Sequence, residues 1–350
     1  MLKEDWLMVA TTMQAVLLHT PGPIEAGPLR FERVPVPEPG AGELLVRVTA
    51  CGVCRSNLHM IEGDWLHLGV PAKSPIIPGH EVVGRVESLG AGVDGFVLGE
   101  RVGITPFKRL CGQCHYCLTG REQLCAGSLE ITGETVDGGY AEFMLANAAY
   151  TYKVPENIPD AEAAPLFCPG LTAIGSVSKI RPAPGQRVAI FGFGGVAHIV
   201  MQLVKLNGAD VVAVARTARH LQLAEQLGAA SVIDMSKQDA GKVLQASGGV
   251  DAAIVFAPSN EALRQAVFAT RPGGTVVVGT YADLGTLKFG EEKTIVGSVL
   301  GTREQMRELL HLAGRGLIHS IVEEFPLKDA AGALGRLKRG ELKARAVLIP

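Results

Sequence analysis

Four of the chain's seven cysteines crowd into the stretch CGQCHYCLTGREQLC, at Cys111, Cys114, Cys117 and Cys125. Four soft donors on one short loop suit a tetrahedral zinc with every position filled, a site that holds a loop in shape and does no chemistry. Four thiolates leave two surplus negative charges on a divalent ion, and Lys108, Arg109 and Arg121 flank the loop to offset them. An iron–sulfur cluster is the rival reading, although the spacing matches neither ferredoxin pattern. Four unrelated core cysteines would not sit in a polar, glycine-containing loop. The other thiols are Cys51, Cys54 and Cys168. Cys51 and Cys54 have the spacing of a redox pair, but no βαβ context surrounds them. His80 and Glu81 in IPGHEVVG do not make a metalloprotease, because Gly84 stands where the second histidine is needed.

A separate pattern, AIFGFGGVAHIVMQL, places Gly192, Gly194, Gly195 and Ala197 where a strand turns into a helix. Bare backbone there can approach a pyrophosphate, and the amino end of the helix supplies donors and positive potential. The next strand, DVVAVARTARH, ends in Ala215, Arg216 and Thr217 rather than in the carboxylate that usually binds a ribose hydroxyl. Nothing there repels a 2′-phosphate, so the cofactor is read as NAD(P), with Arg216 tilting it toward NADP. An arginine that stacks on adenine while NAD binds is the alternative.

The elements that must position these residues fall into two textures. From Met13 to about Pro155, short β-branched runs (QAVLLH, ELLVRVTA, HEVVGRVESLG, ERVGITP) are broken by Gly and Pro, which predicts a β-rich, loop-rich domain. Beyond Pro184, strand-like runs alternate with helical ones, the pattern of βαβ units around a parallel sheet. The tail from REQMRELLHLAGRG ends in a strand predicted to return to the first domain. The expected organisation is an extension at 1–12, a catalytic domain at 13–165 and 301–350, and a dinucleotide domain at 166–300. With 350 residues and 47% hydrophobic residues the chain can bury a sizeable core, and a net charge of -2 without a basic run gives no attraction for nucleic acid or anionic membrane. No apolar stretch is long enough to cross a bilayer and no signal peptide is evident, so a cytoplasmic protein with reduced thiols is expected.

The run GHEVVGRVESLGAGV, with GVCRSNLH, the four-cysteine loop, CPGLTAIG and the glycine-rich turn in the same order, resembles the zinc-dependent medium-chain alcohol dehydrogenases from Met13 to the carboxyl end. The resemblance implies an α/β fold, with a Rossmann doubly wound parallel sheet inserted into a GroES-like β-rich catalytic domain. It implies two Zn2+ per chain, the four-cysteine site being structural. The catalytic zinc would be held by Cys54, His80 and Cys168, with Glu81 as an alternate ligand, leaving one position open. Ser56 and His59 match the family's proton relay. Arg55 and Arg345 would lie near the pyrophosphate, Thr172 beside the nicotinamide, and Trp65 and Phe107 beside the open zinc position. Aromatic walls suit primary aliphatic or aromatic alcohols and their aldehydes. A polyol or threonine dehydrogenase, or a non-catalytic zinc protein that senses redox state, are the alternatives. Asn57 departs from the family, many of whose members carry Asp there to orient the zinc-bound histidine. The run KTIVGSVL resembles the family strand used in subunit pairing, which implies a homodimer or homotetramer.

Overall fold

The computed structural model describes residues 11–350, so the expected extension at 1–12 lies outside it except for its last two residues. Two large sheets organise the chain. The first runs Val322–Pro326, Arg345–Ile349, Glu43–Gly52, Val82–Leu89, Arg101–Ile104 and Thr151–Lys153, and Phe143–Asn147 also pairs with Glu43–Gly52. Its central strand, ELLVRVTACG, is buried along most of its length because neighbours cover both faces. The carboxyl-terminal strand joins it antiparallel, with Val347 opposite Gly52 and Leu348 opposite Cys51.

The second sheet has six strands, all parallel, in the order Ser231–Asp234, Asp210–Ala215, Arg187–Phe191, Val250–Val255, Thr270–Val278 and Thr294–Gly297. Chain order reverses at Arg187–Phe191, so the crevice beyond the carboxyl ends of that strand and Val250–Val255 is the place where such sheets bind ligands. Helices Ala197–Leu206, Ala218–Gln226, Ala240–Ala246 and Asn260–Ala269 connect the strands. Two of them start on side-chain caps, Asp239 accepting from the Lys242 amide and Ser259 from the Ala262 amide. A capping box of Thr302 and Gln305 opens the later helix Arg303–Gly314.

One apolar core is shared by both sheets. Ala50 and Val83 of the first sheet join Ile190 and Ala213 of the second through Phe167 and Leu171. The tip of the Phe167 ring packs on Gly103, where any Cβ would overlap it. That contact fixes the segment between the sheets, and Cys168 is its next residue. No helix among the described residues is long and apolar enough to cross a membrane.

Candidate active site and metal centres

Cys54, His80, Glu81 and Cys168 come from three separate segments, yet each offers a ligand atom within 4.8 Å of those of the others. Cys54 stands at the amino end of helix Arg55–Glu62, which carries Ser56, Asn57 and His59 in its first turns. His80 and Glu81 lead into strand Val82–Leu89. Gly79 before them has φ 100°, and a side chain there would strike the Tyr140 ring and the Cys51 sulfur. Cys168 starts helix Pro169–Ile180. Cys51, Cys54's partner in the CxxC spacing, is buried against that packing and takes no part in the cluster.

The donors fit a tetrahedral cation. The Cys54 and Cys168 sulfurs are 3.8 Å apart, about the separation that two zinc–sulfur bonds of about 2.3 Å subtend, and far beyond a disulfide. Among themselves the groups are crowded with charge. A hydrogen bond from Cys168 lowers the Cys54 thiol well below its usual range, and the same bond raises Cys168. Burial disfavours a charged His80, but the Cys54 thiolate together with the Glu134 and Glu81 carboxylates outweighs it and raises the imidazole to about 9. Glu81 is fully buried and raised to about 7 by desolvation, against the pull of Arg345. Its Oε1 forms an ion pair with the buried Arg345, while Oε2 has no hydrogen-bond partner. A cation among two thiolates, a neutral imidazole and a carboxylate resolves that crowding, which is the test these residues pass for zinc.

The four-cysteine loop forms a second cluster with ligand atoms equally close. The Cys111 sulfur lies 3.9 Å from that of Cys117 and 3.4 Å from that of Cys125. Backbone amides of Ala126 and Cys117 lower Cys114 to about 6, favouring its thiolate. The flanking cations find other partners: Lys108 pairs with Glu43 at 2.9 Å, Arg109 with Glu130 at 3.8 Å, and Arg121 stacks over Tyr116. Full carboxylates nearby outcompete thiolates, and amide N–H groups compensate the sulfur charge instead. Glu122, within the loop, accepts from the Arg303 amide and guanidinium and ties it to helix Arg303–Gly314.

Beside the first cluster opens a cleft of about 1170 Å³, walled by the glycine-rich turn, the ends of the parallel strands and helix Arg55–Glu62. Gly192 has φ 89° and abuts the Ala257 backbone, so a side chain is excluded twice over. Gly194 has nothing within 4 Å of where a Cβ would stand, which leaves its backbone open to a ligand. Gly195 packs on the Arg345 side chain. Arg345 therefore touches the glycine-rich turn with its stem and Glu81 with its guanidinium, a link that sequence reasoning did not supply. Arg55, Lys179, Arg216, Lys338 and Arg339 also line the cleft, whereas no aspartate or glutamate among the described residues does. Arg216 is exposed at the end of strand Asp210–Ala215, and Thr217 begins the helix that follows.

Ser56 and His59 also line this cleft, as does Trp65, whose ring centroid lies 5.5 Å from that of His59. The Ser56 hydroxyl is 3.4 Å from His80 Nε2, and His59 Nδ1 is 2.6 Å from Asp64 Oδ2. Ala197 is buried at the start of its helix. Arg55 donates to the Leu337 carbonyl at 3.2 Å. Thr172 and Phe107 are not on the cleft wall: the Thr172 hydroxyl donates back to the Cys168 carbonyl, and Phe107 is buried opposite Ile131 in a small two-stranded sheet. Two buried groups had no signal in the sequence. His198 clasps the Gly194 carbonyl, and Glu134 lies 3.5 Å from His80.

Comparison with known proteins bears on this geometry. The family model for the alcohol dehydrogenase GroES-like domain matches residues 40–156, and that for zinc-binding dehydrogenases matches residues 195–315. An alcohol dehydrogenase of Geobacillus stearothermophilus is 40% identical over 329 residues, covering 92% of this chain and 96% of the relative. Among solved structures, the alcohol dehydrogenase of the hyperthermophilic archaeon Aeropyrum pernix shares 34% identity at a TM-score of 0.88, covering 96% of this chain and 100% of that one. Acetophenone reductase from Geotrichum candidum, solved in complex with NAD, shares 28% identity at a TM-score of 0.85, with 98% of both chains covered.

Proposed function

The chain belongs to the zinc-dependent medium-chain alcohol dehydrogenase family, and from that premise we propose that it interconverts primary aliphatic or aromatic alcohols and their aldehydes by hydride transfer with NAD(P). One observation carries the reading: a three-donor cluster of Cys54, His80 and Cys168, with Glu81 behind it, stands beside a nucleotide-sized cleft, and Ser56 and His59 line that cleft. A bound zinc supplies a Lewis acid that lowers the pKa of an alcohol hydroxyl. The Ser56 hydroxyl, next to His80 Nε2, takes that proton and releases its own toward His59. His59 lies one helical turn along the same face, is partly exposed and is steered by Asp64, so it returns the proton to solvent. Trp65 gives the entrance an apolar wall that suits an uncharged alcohol.

In this reading the chain holds two zincs, one in each cluster, and residues 13–165 with 301–350 serve catalysis while 166–300 bind the cofactor. The preferred cofactor is NADP. Support comes from the absence of a carboxylate among the described lining residues and from Arg216, which makes no ion pair among those residues and can meet a 2′-phosphate. The test is zinc per chain, followed by reduction of NAD and of NADP with a panel of primary, secondary and polyhydric alcohols. Two zincs, and a kcat/KM with NADP and primary alcohols at least tenfold above the other combinations, are the expected result. One zinc and no turnover on either cofactor would overturn it.

A further inference from the structure

A histidine that binds a metal through one ring nitrogen usually donates its other N–H to a carboxylate or carbonyl, which fixes both tautomer and ring orientation. His80 Nε2 lies beside Ser56 while Nδ1 faces Asn57 and Glu134, which leaves Nε2 as the nitrogen open to the sulfur cluster and Nδ1 as the one that needs a partner. Two side chains reach it. Asn57 Nδ2 lies at 3.4 Å and Glu134 Oε1 at 3.5 Å, and all three residues are buried. An amide can turn either its oxygen or its nitrogen toward the ring, so Asn57 accommodates both tautomers and selects neither. As oriented, Asn57 Oδ1 is buried without a partner. An ionised carboxylate only accepts, so it places the proton on Nδ1 and leaves the Nε2 lone pair facing the metal cluster.

We propose that Glu134 is the positioning residue of His80, supplying from a distant turn the carboxylate that helix Arg55–Glu62 lacks at Asn57. The backbone is built for this approach. Gly133 has φ 70° and rests directly on the backbone of Gly79, the residue before His80; a side chain at 133 would collide with it. Gly138 closes on Gly79 and Gly133 in the same way. The Glu134 carbonyl accepts from the Ala72 amide, and its amide donates to Ile131, so its main chain is tied on both sides. A movement of about half an ångström turns the 3.5 Å separation into a hydrogen bond.

The inference rests on the zinc reading above, and its test keeps the two apart. Zinc is titrated away with a graded chelator from the parent, Glu134→Gln, Asn57→Asp and the double variant, with the four-cysteine zinc, which neither residue touches, serving as the folding control. Glu134→Gln is expected to weaken the Cys54–His80–Cys168 zinc by about 10- to 100-fold, while Asn57→Asp in that background restores most of the loss by returning a carboxylate to Nδ1. A parent with two zincs and a Glu134→Gln variant that holds both as tightly overturns the role of Glu134 alone. A weakened Glu134→Gln that Asn57→Asp fails to rescue also overturns it, since the effect is then one of packing. A parent with only the four-cysteine zinc overturns the functional reading and this inference with it.

Discussion

His198 ties the glycine-rich turn to the segment at Ile321, and its titration should be visible in stability. It is fully buried at the start of helix Ala197–Leu206, where Nδ1 lies 3.2 Å from the Gly194 carbonyl and Nε2 accepts from the Ile321 amide at 3.1 Å. That pairing fixes the neutral tautomer with its proton on Nδ1. Burial, helped by the charge of Arg345, lowers its pKa from 6.5 to about 4. A folded value below the unfolded one means that the unfolded chain binds a proton the native chain refuses, so stability is intact above about pH 6.5 and falls as pH drops toward 4. The full gap corresponds to about 3 kcal/mol, of which about 1 kcal/mol is lost between pH 7 and 5.5. The assay is equilibrium urea unfolding across pH 5.5–8 for the parent and for His198→Gln, whose amide can still donate and accept but does not titrate. The variant is expected to be less stable at pH 7 yet to lose about 1 kcal/mol less on going to pH 5.5. Parallel curves for the two proteins would refute the reasoning. In the folded chain the protonation that would set an N–H against the Ile321 amide comes only near pH 4, so affinity for the reduced nicotinamide cofactor, read by its fluorescence, should show no His198-dependent change between pH 8 and 5.5.

Other expectations follow from single contacts. Gly192→Ala places a methyl in a left-handed backbone position and against Ala257; it should cost about 1–3 kcal/mol in thermal unfolding and raise the Kd for the cofactor at least tenfold by fluorescence titration. Cys114→Ser removes one donor of the four-cysteine loop; metal analysis should show about one zinc fewer per chain, with the loop from 111 to 125 becoming the first site of proteolysis. Arg216→Ala is expected to cut kcat/KM for NADP at least tenfold while leaving that for NAD within a few-fold, and equal losses for both cofactors would remove the phosphate role. Arg101 is buried, with its guanidinium on Asp160 and on the Pro155 and Ile158 carbonyls. Arg101→Met should destabilise the chain by about 3 kcal/mol in urea unfolding, because the carbonyls lose the only side-chain donor they have among the described residues.

How far the sequence reveals such a site depends on whether the information is local. The parallel sheet was legible because its strands are buried on both faces and so appear as apolar runs, each followed by a helical period. The four-cysteine cluster was legible for a similar reason, since its donors lie on one loop and their spacing is their geometry. Helix Arg55–Glu62 was not: at eight residues it is too short for a periodic signal, and it starts on Cys54, whose side chain makes no cap. Cys168 entered only through its resemblance to a family motif, because what brings it to Cys54 is Phe167 seated on Gly103, a contact between distant segments. Glu134 had no signal at all. In ITGETVDGGY it reads as a solvated acid in a turn, and it becomes buried only because Gly133 and Gly138 let that turn lie on the backbone of Gly79. The same residues bear on Asn57. A missing acid on the helix looks like a lost charge, but the partner of a ligand imidazole is chosen by position in space. Here the carboxylate near that same Nδ1 is Glu134, 54 residues beyond His80 along the chain.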